Sequence, residues 1–440
     1  MGNVPERRTE LRVAVTGPTG TLGFGLMPLL QADDRVAHVT GVARRPFDPA
    51  AYGWTKTEYR RGDVRDPGVL REAFRNADVV VHLAFQVTGA AAGETIRSVN
   101  IDGTRNAFDA AAAAGASRFV YASSVAAYGF HRDNPIGLTE DWPVRPARRL
   151  FYAREKAWLE DELWAQATRP GSPALYLLRP CIVLGPHAVG AKSLPHGWLG
   201  QLGLLGQLGR APAWRTGRIP FPVAAPELPV QLVHEEDVGQ ALLRCVLGAG
   251  PPGAYNIAAD GVVSAGTLVR ELGMLPVRVP SCVTQTTARA IAALPFLPPV
   301  AQWVEAASHP AIMDTTRARQ ELGWTPRYTA LETLQETLRQ YRQRDMADTV
   351  AGHVVAAQLR PCTLPHRGPQ GADIAEVAAI VRQLRPLAQI VLDAMLAQAM
   401  SQHVQDALGD HFPELIDHQG GNDARSDPQP EPPVRQGSPH

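Results

Sequence analysis

Lysine is almost absent from this chain. Among 440 residues only Lys56, Lys156 and Lys192 occur, so arginine supplies nearly all of the positive charge. Lys+Arg and Asp+Glu are each 43, a formal net charge of zero, which speaks against a nucleic-acid-binding surface of the usual basic kind. Cysteine is scarce too. Cys181, Cys245, Cys282 and Cys362 lie far apart, no pair has zinc spacing, and nothing suggests a disulfide framework, so no metal is expected. Long apolar runs are also missing: the stretch around residues 291–304 is broken by prolines and too short to span a bilayer. The opening MGNVPERRTE is polar and lacks a signal-peptide core. Glu6 stands where a myristoylation signal needs Ser or Thr. With 45% apolar and 20% charged residues, the expectation is a cytoplasmic globular protein that meets a small molecule, not nucleic acid or membrane.

What is present is alternation. LRVAVTG, HVTGVAR, ADVVVHLAF, RFVYASS and ALYLLRP read as strands, with helices expected at 22–32, 67–76, 95–115 and 150–168 and a stop at Gly115. Strand–helix–strand order with nearly continuous apolar strands predicts an α/β fold: a Rossmann-type, doubly wound parallel sheet covered on both faces. The expected domains are 11–185, binding a dinucleotide, and 186–344, a smaller C-terminal substrate-binding region interleaved with that core. A Leu-, Gly- and Pro-rich stretch near 186–230 reads as a lid. Residues 345–440 read as an extra tail: linker, an apolar-striped helical segment at about 373–408 interrupted by Pro386, and a disordered Pro-rich end from about 418. A lone striped helix must pack on something, and a second copy of the chain is one candidate, making a homodimer possible.

Gly17, Gly20 and Gly23, spaced three apart, close the first strand and open the first helix. Such a turn lets backbone approach a pyrophosphate while the helix offers free N–H groups and the positive end of its dipole. Thr19, Thr21 and Leu22 belong to the same turn. A carboxylate after the second strand would hold the ribose hydroxyl of NAD; here Arg44 and Arg45 occupy that place. Two guanidinium groups suit a 2′-phosphate, so NADP is expected with NAD possible, against the plainer reading of a solvated arginine pair. Asp63, in RRGDVRD, is placed to meet the adenine edge and Val64 to pack on it.

The stretch VYASSVAAYG, residues 120–129, begins as a buried strand and breaks off at two serines. It acquires meaning from FYAREK, where Tyr152 and Lys156 share one helical face. An ammonium near a phenol lowers its pKa and makes it a usable general acid or base.

With TGPTGTLG, GDV, VVHLA, SVNIDGTRN, VYASSVAAYG, YAREK, LRPCIVLGP, QLVHEEDV, YNIA and DTTRARQELGWTP in order over about residues 11–340, the chain resembles the extended short-chain dehydrogenase/reductase family. That family includes nucleotide-sugar epimerases and dehydratases and 3β-hydroxysteroid dehydrogenase-like enzymes. The resemblance implies that Tyr152 carries the proton and that Lys156 binds the nicotinamide ribose and tunes the tyrosine. It also implies that Ser124 bonds the substrate oxygen, that Asn100 positions the site, and that Leu83, Ala84 and Pro180 line the cofactor. Tyr128, followed four residues later by Arg132 instead of lysine, is expected to pack or to wall the substrate. Ser123 is expected to support the strand end, and His234 to hydrogen-bond in the core.

Departures from the family pattern narrow the chemistry. Val125 and Ala126 follow Ser124 where the family's dehydratases carry an Asp-Glu pair, so dehydration is not expected. Ile182 and Val230 stand where epimerases hold UDP with an asparagine and an arginine, and neither can grip a diphosphate; Arg215, Arg218 or Arg278 would have to substitute. An apolar lid suits a small or apolar carbonyl compound. The reading is an NADP-preferring oxidoreductase interconverting carbonyl and alcohol. The alternatives are a nucleotide-sugar epimerase with altered UDP contacts and a non-catalytic NADP-binding sensor or scaffold.

Overall fold

The computed structural model describes residues 10–87, 93–148, 150–190, 222–226, 228–271, 275–279 and 309–340. The chain divides into two units, Met1–Gln358 and Leu359–His440, and every described residue belongs to the first. The expectations for the 186–230 lid thus fall mostly outside the described residues, and those for 345–440 wholly outside.

Seven parallel strands make the central sheet: β1 (Leu11–Thr16), β2 (Val36–Ala43), β3 (Thr57–Arg61), β4 (Val79–His82), β5 (Arg118–Ala122), β6 (Ala174–Pro180) and β7 (Gly253–Ile257). Their order is β7-β6-β5-β4-β1-β2-β3. Successive side chains point to opposite faces. Val13, Val15, Val79 and Val81 therefore meet Leu26, Met27 and Leu30 of α1 (Thr21–Ala32), together with Val238, Ala241 and Leu242 of the Glu235–Val246 helix. Ala14, Val80, Phe119 and Tyr121 meet the other layer, where Leu70 of α2 (Pro67–Ala73), Phe108 of α4 (Gly103–Ala113) and Leu159 and Leu163 of α5 (Phe151–Ala167) pack. Burying both faces explains why β4 reads as an unbroken apolar run.

Two features differ from the sequence reading, the helix over 95–115 and the origin of the seventh strand. Residues 95–115 do not form one helix: a short α3 (Gly93–Arg97) passes through a π turn at Ser98–Asp102 into α4. The break presents Asn100 sideways and sets Gly103 against Val64, where a Cβ would come within 2.5 Å of Val64 Cγ2. β3 has the charged sequence TEYRR and is only partly buried, because it is the sheet's edge, where charge wards off further pairing. The seventh strand comes from beyond residue 185. Gly115 does end α4, with φ of +70°. Among the described residues no helix is long and apolar enough to cross a membrane.

β1 has β2 on one side and β4 on the other, so the chain leaves it in opposite directions and a crevice opens beyond the strand ends there.

Candidate active site

The glycine turn forms one wall of that crevice. Gly17 has φ of +72°, and a Cβ on it would lie 2.9 Å from the nitrogen of Ala84. Its own N–H donates to the carbonyl of Val42 at 2.9 Å. A Cβ on Gly23 would lie 2.2 Å from the carbonyl oxygen of Pro18. Packing thus demands glycine at both positions. It does not at Gly20, whose φ of −93° suits any residue and whose Cβ would touch only Gly17 O, at 3.4 Å. The glycine there keeps space clear in front of the turn. α1 starts at Thr21 with no side-chain cap and no acidic residue in its first turn, leaving N–H groups and dipole for an anion. Thr19, Thr21 and Leu22 are half-buried around it. A dinucleotide pyrophosphate fits this wall. Leu83 and Ala84 form its floor, Leu83 N donating to Thr16 O at 3.1 Å.

At the outer end, Arg44 and Arg45 are exposed just past β2. Among the described residues neither guanidinium enters an ion pair. Arg65 grips both carboxylate oxygens of Asp63, with Nη2 2.8 Å from Oδ2. That bond, before all else, holds the Asp63 carboxyl below its usual range, with Arg44 a small contributor. Val64 is buried against Gly103 in the core.

At the inner end the serine, tyrosine and lysine come together. Ser124 caps a short 3₁₀ turn, Val125–Tyr128, its Oγ accepting from Ala126 N at 3.1 Å. Tyr152, in the first turn of α5, shares a side-chain hydrogen bond with Ser124; burial raises its pKa and the serine bond opposes the rise. Lys156 lies beneath, with Nζ donating to Ala122 O at 2.7 Å and Tyr121 OH at 3.2 Å. The ammonium sits 3.6 Å from the centre of the Phe85 ring and 5.9 Å from that of Tyr152. Burial pushes it down to about 7, against the pull of Glu160 and then Glu155. Lys156 Nζ is thus anchored to the strand end, and the Ser124 hydrogen bond draws the phenol's pKa down against burial.

Asn100 reaches out of the π turn to clasp the backbone of Gln86, accepting from its N at 2.7 Å and donating to its O at 3.0 Å. Its Nδ2 also donates to Glu155 Oε2 at 2.7 Å. The clasp fixes the segment after β4, including Phe85, whose ring stands edge-on to Tyr152. Pro180 is buried at the end of β6 beside Ile257.

Tyr128 is fully buried, which removes it from any substrate wall. Its hydroxyl accepts from Arg179 Nη1 at 2.7 Å and lies 2.9 Å from Asn256 Oδ1. Arg179 chelates Glu160, Nε to Oε1 at 3.0 Å and Nη2 to Oε2 at 2.5 Å, and Ser123 donates to the same carboxylate. Ser123 thus supports the strand end, as expected. His131 bonds Arg145 O at 2.6 Å, and His234 caps the Glu235–Val246 helix, so neither lies with the triad. His196, Arg215, Arg218 and the Arg278 side chain lie outside the described residues. Glu155, Glu160 and Arg179 escaped the sequence reading. The first two had a visible signal, acidic residues one before and four after a catalytic-type lysine.

Residues 13–213 match the model of the NAD dependent epimerase/dehydratase family. Over 333 residues the chain is 26% identical to an uncharacterised protein, Rv0501, of Mycobacterium tuberculosis, spanning 74% of this chain and 83% of that one. An L-arabinose 1-dehydrogenase (NAD(P)(+)) of Haloferax volcanii is 38% identical over 113 residues, 26% of this chain and 41% of the relative. Among solved structures, gox2253 aligns with a TM-score of 0.58 at 24% identity, covering 76% of this chain and 98% of that one, a likeness of fold.

Proposed function

Since residues 13–213 match the model of the NAD dependent epimerase/dehydratase family, we propose that the chain is an extended short-chain dehydrogenase, an NADP-preferring oxidoreductase interconverting a carbonyl and an alcohol on a small or apolar substrate. The observation that carries this is the Ser124–Tyr152 hydrogen bond above a buried Lys156. Gly17, Gly20 and Gly23 and the uncapped start of α1 would hold the pyrophosphate, and Lys156 the ribose beside the nicotinamide. When bound, the cofactor supplies the hydride. Tyr152 gives its proton to the substrate oxygen during reduction and takes it back during oxidation, while Ser124 holds that oxygen. Lys156, kept close by Ala122 and Tyr121, supports the charge that Tyr152 acquires. Asn100, through Gln86, fixes the segment that carries Phe85.

The NADP preference rests on Arg44 and Arg45. They face solvent unpaired by any acid among the described residues, and the nearby Asp63 is taken by Arg65. An arabinose dehydrogenase among the relatives favours carbonyl–alcohol chemistry. A nucleotide-sugar epimerase is the second reading, favoured by the family's name and disfavoured by Ile182, which is 45% exposed and offers a diphosphate no donor. Residues 11–185 are proposed to carry the cofactor and 186–344 to shape the substrate pocket. On that proposal a chain shortened after residue 345 folds and binds NADP, and a homodimer held by the tail would become a monomer. The function is tested by following NADPH oxidation with a panel of ketones and aldehydes. Turnover with the panel supports the proposal; conversion of UDP-sugars without net cofactor consumption would establish the epimerase instead.

A further inference from the structure

His82 closes β4, is fully buried, and bonds with both ring nitrogens. The bonding fixes where every proton lies. Thr104 Oγ1 donates its one hydrogen to Asn100 O at 2.6 Å, so the 3.0 Å contact between Thr104 Oγ1 and His82 Nε2 requires a proton on Nε2. Ala84 N donates to Thr16 Oγ1 at 3.3 Å, and Thr16 Oγ1 lies 2.8 Å from His82 Nδ1. If Nδ1 carried a proton as well, the Thr16 hydroxyl would accept twice, and among the described residues its own hydrogen would have no acceptor. A neutral ring lets every donor in the chain find an acceptor. The order is then Ala84 N–H to Thr16 O–H to His82 Nδ1, and His82 Nε2–H to Thr104 O–H to Asn100 O.

The chain begins where the floor of the glycine turn lies and ends on the backbone of the π turn that carries Asn100. We infer that His82 is a positioning residue: a neutral, Nε2-protonated imidazole that ties the end of β1, which launches the glycine turn, to the Asn100 turn beside Tyr152 and Lys156. The meaning of those two turns rests on the oxidoreductase reading; the proton arrangement does not. The surroundings agree. The ring is flanked by Phe119 and Tyr121, each 6.1 Å away, and the charged neighbour acting on it is Lys156. Burial first and that ammonium second press its pKa down to about 3.

The tautomer is read directly on the full-length, ¹⁵N-labelled protein by long-range ¹H–¹⁵N correlation, with the His82 signals identified by their loss in His82→Gln. The expected result is a neutral Nε2–H ring, unchanged between about pH 5.5 and 8.5. An Nδ1–H ring, or one that titrates in that range, overturns the inference. Because no substrate enters, this outcome is separate from the fate of the proposed function. Two variants then test the coupling. His82→Asn keeps an acceptor near Nδ1, and His82→Gln a donor near Nε2. In His82→Asn, amide exchange is expected to rise about tenfold at residues 98–104, roughly the effect of one buried hydrogen bond left unmade, while NADP affinity holds. In His82→Gln the pattern reverses, with NADP affinity falling about tenfold. Equal loss at both ends in both variants would mean that the ring only fills space, which also overturns the inference.

Discussion

The two ends of the crevice treat positive charge in opposite ways. At the inner end Arg179 and Lys156 are buried and bonded: Arg179 covers both oxygens of Glu160, and Lys156 is held by Ala122 O and Tyr121 OH. At the outer end Arg44 and Arg45 stand in solvent with no acid paired to them among the described residues. A cation with its partners supplied by the fold is there to place neighbouring groups. A cation left unpaired beside the strand that anchors the glycine turn is available to an anion that comes and goes. The difference lies in surroundings, because both ends read as plain arginine or lysine in the sequence.

The comparison breaks most visibly at Tyr152. Tyr152→Phe should lower turnover by about 10²–10⁴-fold, the usual worth of acid–base catalysis, and leave NADP affinity within a few fold; steady-state kinetics and cofactor titration check both halves. Next in size is Arg179→Ala. It strands the Glu160 carboxylate in the interior, and denaturant unfolding should show a loss of about 3–5 kcal/mol. The double replacement Arg44→Ala/Arg45→Ala should leave stability within about 1 kcal/mol. It should weaken NADP by about 2–3 kcal/mol more than NAD, measured by calorimetry. If NAD suffers equally, the outer arginines are ordinary surface charge.

The smallest effect is on pH dependence. Lys156, with its pKa near 7, is charged below that value and loses its proton as pH rises through it. Carbonyl reduction, which needs the charge beside a forming tyrosinate, should therefore decline above about pH 7. Lys156→Arg stays protonated throughout and should remove that decline from a pH–rate profile. A profile shared by both proteins would place the limb on another group.

Much of the frame was legible because its causes are local. The β-branched runs, the glycine spacing and the Tyr152–Lys156 interval each report a short-range rule, and the residues appear on the elements expected. What stayed hidden depends on residues far apart in sequence. Nothing near Asn100 announces that a π turn will swing it onto Gln86 and Glu155. Tyr128 and Tyr152 both sit near Ser124 in the fold, yet one is buried against Arg179 and the other bonds the serine. The sequence spacing shows that Lys156 is near Tyr152 but not which acceptors hold it.

The central claim is that hydride passes between a nicotinamide cofactor and a carbonyl carbon while Tyr152 manages the proton. The most direct measurement uses NADPH deuterated at the transferring position, the full-length protein and a panel of small and apolar ketones and aldehydes, with products read by mass spectrometry. The account predicts deuterium on the carbinol carbon of at least one product with the wild-type protein and none with Tyr152→Phe. Tight NADPH binding with no deuterium transferred to any product, or equal transfer by Tyr152→Phe, would contradict it.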